Sequence, residues 1–289
     1  MAGRLFTHVV DKNFSDAALV LIGHGSTLNQ LSSQPVRQLA EQLAARNIFA
    51  QVSAAFHLEE PKIGAIPRTD TARIFVVPIT ISEGRFTEQI IPRRLGLAAD
   101  TRILQINGRQ LIYCRPVGTH PDMTKILLTR ARDIVAQHPF PRAPRPNETA
   151  LFIAGHGTEK NEDSRKAVEA QVEAIRARGE YADVHPVFME EAPFIADCFT
   201  NTEARHIVVV PFFIAAGLHT VEDIPVLLGE PKDRVQQRLA AGQPTWRNPT
   251  ERKGKLVWYT EAIGSEAGLA EVILARAREG NSQFSISKA

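Results

Sequence analysis

Apolar positions along the chain fall into two patterns. Short β-branched runs at 17–23 (AALVLIG), 50–56, 73–81 (RIFVVPITI), 110–114, 151–154, 183–188 and 207–214 have the composition of strands buried on both faces. Between them lie stretches with helical spacing at 33–46, from Gly84 and Thr87 to about Leu95, at 121–137 and at 162–178. In the first of these, Val36, Leu39, Leu43 and Ala44 share one face. A last helix is expected from Val221 to Leu228 under Thr220, with Glu222 and Asp223 in its first turn. Each half then reads β-α-β-(α)-β-α-β-α, a parallel sheet covered by helices. The fold class is α/β, built as two tandem similar halves that face a central cleft.

The halves are copies. His24 to His156, Phe56 to Phe188 and Pro61 to Pro193 are each 132 residues apart. Pro78 to Pro211, Gly84 to Gly217 and Pro92 to Pro225 are each 133 apart. An offset held this steadily marks an internal repeat. It jumps to 146 between Gly118 and Gly264, so the second copy carries an insertion within the polar stretch 230–255, read as a short helix at 232–240 and a mobile loop. The expected boundaries are a first half over 1–137, a proline-rich linker over 138–149 (HPFPRAPRPNE) and a second half over 150–289 with a frayed polar tail from Ser282.

Bulk composition narrows the function little. The 289 residues are 44% hydrophobic with net charge +2, which gives a nucleic-acid binder no electrostatic basis. No apolar run reaches membrane-spanning length and no signal-like segment opens the chain. Cys114 and Cys198 lack metal spacing and read as structural thiols of a reducing compartment, and the expected location is cytoplasmic.

Chemistry concentrates at strand ends. His156 (in Gly-His-Gly), Glu190 and His219 follow three predicted strands of the second half, whose carboxyl ends converge on one edge. Two imidazoles and a carboxylate suit a borderline divalent metal such as Fe²⁺, Co²⁺ or Ni²⁺, and they also serve as proton acceptors. The competing reading of each is helix capping. The first half is an internal control, because His24 matches His156 while Leu58 stands opposite Glu190 and Phe86 opposite His219. One half therefore holds the chemistry and the other closes the pocket. His57, beside Leu58, reads as a strand-end residue or a group turned into the cleft. A histidine phosphohydrolase wants arginine before its histidine; glycine stands there in both halves.

GHGS, GHGT, FMEEAP and PFFIAAGLHTVEDIP together resemble the class II tetrapyrrole chelatases, nearest the sirohydrochlorin cobaltochelatase and ferrochelatase family in its two-half form. RPVGTHPDMTKILLTRARD is similar to that family's closing strand and helix, and the likeness covers most of 17–137 and 150–279. It implies ATP-independent insertion of Co²⁺ or Fe²⁺ into sirohydrochlorin or a near relative, for cobalamin or siroheme, by a monomer with no cofactor beyond the metal substrate. The resemblance maps metal binding and proton acceptance onto His156, His219 and Glu190. It makes Thr158, Asn161, Ser164, Arg85 and His24 candidate substrate contacts, and Glu222 and Asp223 partners of a histidine or simple helix caps. Arg93 and Arg94 are either carboxylate partners or solvated surface. A non-catalytic tetrapyrrole or metal carrier of the same fold is the alternative.

Overall fold

The computed structural model describes residues 14–27, 32–64, 70–158 and 162–286, with side chains to residue 282. Asn161 and residues 287–289 lie outside the described residues. The first sheet comprises β1 (Ala17–Gly23), β2 (Gln51–Phe56), β3 (Arg73–Pro78), β4 (Ile103–Ile106) and β5 (Arg109–Tyr113), in the order β2-β1-β3-β5-β4. The second repeats this with β6 (Thr149–Gly155), β7 (Asp183–Phe188), β8 (His206–Pro211), β9 (Thr250–Arg252) and β10 (Lys255–Tyr259), ordered β7-β6-β8-β10-β9. The helices are α1 (Gln34–Ala45), α2 (Ile91–Leu95), α3 (Met123–Gln137), α4 (Asp163–Arg176), α5 (Ile224–Leu227), α6 (Lys232–Ala240) and α7 (Gly268–Ile286). None of the described helices is long and apolar enough to cross a membrane.

Eight of these strands pair in parallel; seven match the apolar runs read from the sequence, and the eighth, β10, was implied only by the repeat. The edge strands β4 and β9 are antiparallel additions, paired to β5 and β10. Both are short, and β9 is wholly polar, while the apolar Ile103, Leu104 and Ile106 of β4 make a run too brief to stand out. The hairpins turn on Asn107-Gly108 and Lys253-Gly254, all with positive φ, which matches the right-handed twist of the flanking strands. The strands expected to run to 81 and 214 stop at Pro78 and Pro211. Proline has no N–H to give the ladder, and the next residues, Ile79 and Phe212, make the last donations to Ile22 O and Ala154 O at 2.8 Å. The segment after α6 is no open loop. Trp246 is buried, Arg238 donates to Thr245 O at 2.8 Å, and Asn248 exchanges two bonds with the Tyr259 backbone. The expected irregular tail is also helical, since α7 continues to Ile286.

Chain order and packing partners diverge at the closing helices. Helix α3 of the first copy packs on β8 and β10, and α7 of the second packs on β3 and β5. Trp258 Nε1 donates to His138 O at 2.9 Å, just past α3. In return, Gly280 of α7 lies so close to the first sheet that a Cβ would meet Cys114 Sγ at 3.0 Å. Each exchanged helix carries an arginine latch. Arg130 donates to Ala262 O at 2.9 Å and meets Glu266 at 2.7 Å. Arg276, 3% exposed, donates to Pro116 O at 3.0 Å and Thr119 Oγ1 at 2.8 Å. The inner faces of both sheets consequently share one apolar cluster with α1, α3, α4 and α7, while each outer face keeps a smaller cluster of its own.

Candidate functional site

The parallel strands of the second sheet end together, and β6 leads straight into His156. Gly157 has φ +69°, and a Cβ there would lie 2.7 Å from the Glu191 side chain. Only glycine fits a left-handed residue at such close approach. Glu191 accepts from Thr158 N at 3.0 Å and from Arg165 Nε and Nη2 at 3.0 and 2.7 Å. Arg165 also covers the Phe188 ring at 4.6 Å. With Glu191 occupied in holding the loop, its neighbour Glu190 is left exposed and turned toward His156, Oε1 to Nε2 3.7 Å.

His219 arrives differently from the sequence expectation. It opens the helical segment itself, in a wide turn over His219–Asp223 that closes with Ile224 N donating to His219 O. Pro225 explains the width, because it has no N–H for the usual i−4 carbonyl and its ring pushes that carbonyl aside. Pro92 forces the same turn over Phe86–Ile90 in the first half. Thr220 Oγ1 donates to Gly217 O at 3.0 Å, and the buried Tyr259 hydroxyl donates to Thr220 O at 2.7 Å, which fixes the turn from both sides. Burial holds the Tyr259 hydroxyl well above the usual phenol range, so it stays a donor.

The two imidazoles meet edge to face with centroids 4.9 Å apart. His156 Nδ1 lies 2.7 Å from Gly157 O, and a carbonyl only accepts, so this nitrogen carries the proton. His219 Nδ1 likewise faces Asp223 Oδ2 at 2.7 Å and donates to it. In its neutral form each ring would offer Nε2 as a lone-pair donor, that of His156 beside the Glu190 carboxylate. Among the described residues no group of three or more His, Cys, Asp or Glu is placed so that it could hold a metal ion. His156 is the shared member, against His219 on one side and Glu190 on the other.

Other candidates are spread around this centre. Asp223 orients His219, whereas Glu222 accepts from Gln236 Nε2 of α6 at 3.1 Å and so ties the inserted arm to the turn. Thr158 uses its backbone N–H on Glu191, and Ser164 sits half-buried in the first turn of α4. Across the cleft, His24 and His219 line one cavity of about 220 Å³, together with Val36 and Ile79 on one side and Phe213 and Ile214 on the other. His24 packs against His57 at 5.6 Å and Phe86 at 5.1 Å. Burial, then Arg94, His24 and Lys62, lower the His57 pKa. Arg85, Arg93 and Arg94 are exposed on this rim. A second cavity of about 250 Å³ lies between α4 and β7, lined by Arg176, Tyr181 and His185, and holds none of these groups.

Sequence reasoning passed over Glu191, Arg165 and Tyr259. The first had a signal, since Glu59 keeps the offset of 132 from Glu191 and does the same work, accepting from Ser26 N at 3.3 Å and Ser33 Oγ at 3.0 Å; it pairs at 3.4 Å with Arg37, which stands 128 residues from Arg165 and so off the repeat.

Comparison with known proteins follows the same two-copy division. The family model described as CbiX matches residues 18–134 and again 150–280. A protein of Halobacterium salinarum named "Probable sirohydrochlorin cobaltochelatase" is 36% identical over 278 residues, 91% of either chain. A "Sirohydrochlorin cobaltochelatase" of Methanococcus maripaludis is 30% identical over 146 residues, 40% of this chain but 99% of that one. Among solved structures, a multi-domain protein of Deinococcus radiodurans with structural similarity to chelatases superposes with a TM-score of 0.72 at 27% identity, covering 90% of this chain and 54% of that one. Matched by that model in both halves, the chain belongs to the CbiX family.

Proposed function

We propose that this protein inserts a divalent metal, Co²⁺ or Fe²⁺, into sirohydrochlorin or a closely related tetrapyrrole, as a cytoplasmic, ATP-independent lyase of cobalamin or siroheme synthesis. The observation that carries this reading is the meeting of His156 and His219, each with Nδ1 engaged by an acceptor, with Glu190 beside His156 and His219 lining the inter-half cavity. The names of the relatives in Halobacterium salinarum and Methanococcus maripaludis support the substrate class.

Insertion exchanges one M²⁺ for two pyrrole N–H protons. The two Nε2 lone pairs hold the incoming cation, and Asp223 strengthens His219 as a donor through its Nδ1 proton. Glu190, exposed and near His156, accepts a proton released from the ring. His24 faces the opposite wall of the cavity and contacts the other face of the macrocycle. Thr158, just after His156, and Ser164, in the first turn of α4, contact the edge of the macrocycle; Asn161, a third proposed contact, lies outside the described residues. Nitrogen and oxygen donors of this kind favour Co²⁺ over Fe²⁺ in affinity, so supply decides between them. Both walls of the cleft belong to one chain, which makes a monomer sufficient.

Absorbance of metal-free sirohydrochlorin mixed with Co²⁺ and protein, without ATP, tests the reading. Conversion faster than the uncatalysed control is expected. Binding of the macrocycle without acceleration would replace the enzyme with a carrier.

A further inference from the structure

The two rims of the cleft contrast in charge at three matched positions, and in the reverse sense at a fourth, where exposed Leu58 matches Glu190. On the second half, Phe194, Leu218 and Leu227 stand 45%, 53% and 37% exposed, with Leu218 directly before His219. Their counterparts at offsets of 132 or 133 are Lys62, Arg85 and Arg94. The match is structural as well as numerical. Lys62 bridges Phe56 as Phe194 bridges Phe188, and Arg85 and Leu218 each stand just before the widened turn. Large apolar side chains left in water mark a contact surface when they cluster.

The cationic rim is equally unspent. None of Lys62, Arg85 and Arg94 has an ion-pair partner among the described residues. Of the neighbouring acids, Glu59 is taken by Ser33 and Arg37, Glu83 by Arg115 at 2.6 Å and Glu88 by Arg102 at 3.1 Å, while Glu60 accepts from Lys62 N at 3.0 Å. Lys62 and Arg94 act electrostatically on His57, whose ring lies 5.6 Å from His24 on the cavity wall, so their charge reaches the cleft. A positive rim here is a poor place for a metal cation and a good one for carboxylates.

We propose that the first half is a carboxylate clamp, in which Lys62, Arg85 and Arg94 grip the acidic side chains at the macrocycle rim while Phe194, Leu218 and Leu227 carry the ring's apolar face beside His219. This rests on the tetrapyrrole reading, since a sirohydrochlorin-type ring combines a flat apolar body with acetate and propionate arms. The halves thus divide recognition: charge selects on one side and surface area holds on the other. The clamp sets binding and leaves the metal step to the second half.

The test measures fluorescence-monitored binding of two metal-free probes, uroporphyrin and the less carboxylated coproporphyrin, to wild type and to a Lys62→Gln, Arg85→Gln, Arg94→Gln triple variant. Wild type should prefer uroporphyrin, and the preference should shrink as salt rises. The triple variant should weaken uroporphyrin binding about tenfold to a hundredfold, raise the KM for sirohydrochlorin similarly, and leave kcat within about twofold. A Leu218→Gln, Leu227→Gln variant should weaken both probes alike and independently of salt. An unchanged affinity and salt slope in the triple variant, with metal insertion intact, overturns the clamp and leaves the chelatase reading standing. Charge-selective binding in a wild type that inserts no metal has the reverse meaning: it supports the clamp and removes the chelatase.

Discussion

The two halves of this chain are a comparison built into one molecule, and what they share differs in kind from what they do not. Shared are Gly25 and Gly157 at φ +69°, Glu59 and Glu191 under those loops, and Pro92 and Pro225 behind the widened turns. Tyr113 and Tyr259 both donate at 2.7 Å to the carbonyls of Thr87 and Thr220. Even the forbidden Cβ recurs, with Gly118 pressed on Ile81 O and Gly264 on Ile214 O. Each of these satisfies a backbone group or a close approach, and each persists in the half that lacks a match for Glu190, His219 and Asp223. Found in one half alone are Glu190, His219 and Asp223, against Leu58, Phe86 and Ile90. A group that the architecture does not need, kept in one copy, is kept for something else.

The largest effect that would break this contrast is catalytic. His219→Ala should lower kcat/KM for Co²⁺ insertion by at least about a hundredfold, the scale of a lost metal ligand or proton acceptor. His24→Ala, on the wall that lost its other groups, should cost less than about tenfold. Equal losses, measured in the same absorbance assay, would mean that both halves still act and that the asymmetry in residues has no catalytic meaning.

Much of this was legible in the residues because the repeat exposes it. Hydrophobic runs located seven strands, and the offsets aligned His156 with His24 while setting Glu190 and His219 against Leu58 and Phe86. The edge strands β4 and β9 escaped because each is only four or three residues long and β9 is polar, although Ile103, Leu104 and Ile106 ahead of Asn107-Gly108 are a hairpin signal. The start of the second-half helix was placed too late, since a proline-driven wide turn has no sequence period of its own. The exchange of α3 and α7 was not legible at all. An amphipathic helix shows the same pattern whichever of two similar sheets it covers, and the choice is made by long-range contacts such as Arg276 to Pro116 O. The inserted arm likewise looked like a polar loop, because Glu230 between Arg238 and Arg252 hides a buried ion cluster in charged sequence.

That exchange supplies a second, smaller test of equivalence. If the halves are alike in architecture, their latches should be worth similar amounts. Arg276→Ala removes donors from Pro116 O and Thr119 at a buried position, and Arg130→Ala removes the bond to Ala262 O and the pair with Glu266. Each should destabilise the fold by about 2 kcal/mol, the scale of a buried acceptor left without its partner. Urea midpoints measure both. A large loss at one latch with none at the other would show that one helix holds its foreign sheet by apolar packing alone.

The smallest effect separates the latches by pH. Position 120 in the first latch is histidine and its counterpart 266 is glutamate. His120 is buried and accepts from Asp122 N on Nδ1 at 3.0 Å, with Nε2 3.4 Å from Glu279. Burial and then Arg276 lower its pKa from 6.5, against the opposing pull of Glu279 and Asp122; Lys125 adds a further lowering. The folded protein thus resists a proton that the unfolded chain accepts. The stabilisation is complete above 6.5 and is lost as pH falls from there toward the lower folded value. His57 and His185 are lowered too, with the same sign. Thermal midpoints should therefore fall between about pH 7 and pH 5. His120→Gln keeps an acceptor for Asp122 N without a titrating nitrogen, so it should reduce that slope while leaving the part due to the other two histidines. Glu266→Gln should lower the midpoint with the slope intact, because an ordinary carboxylate titrates below this window. A slope unchanged in His120→Gln would place the sensitivity outside the latch, and the two latches would then be interchangeable in charge as they are in position.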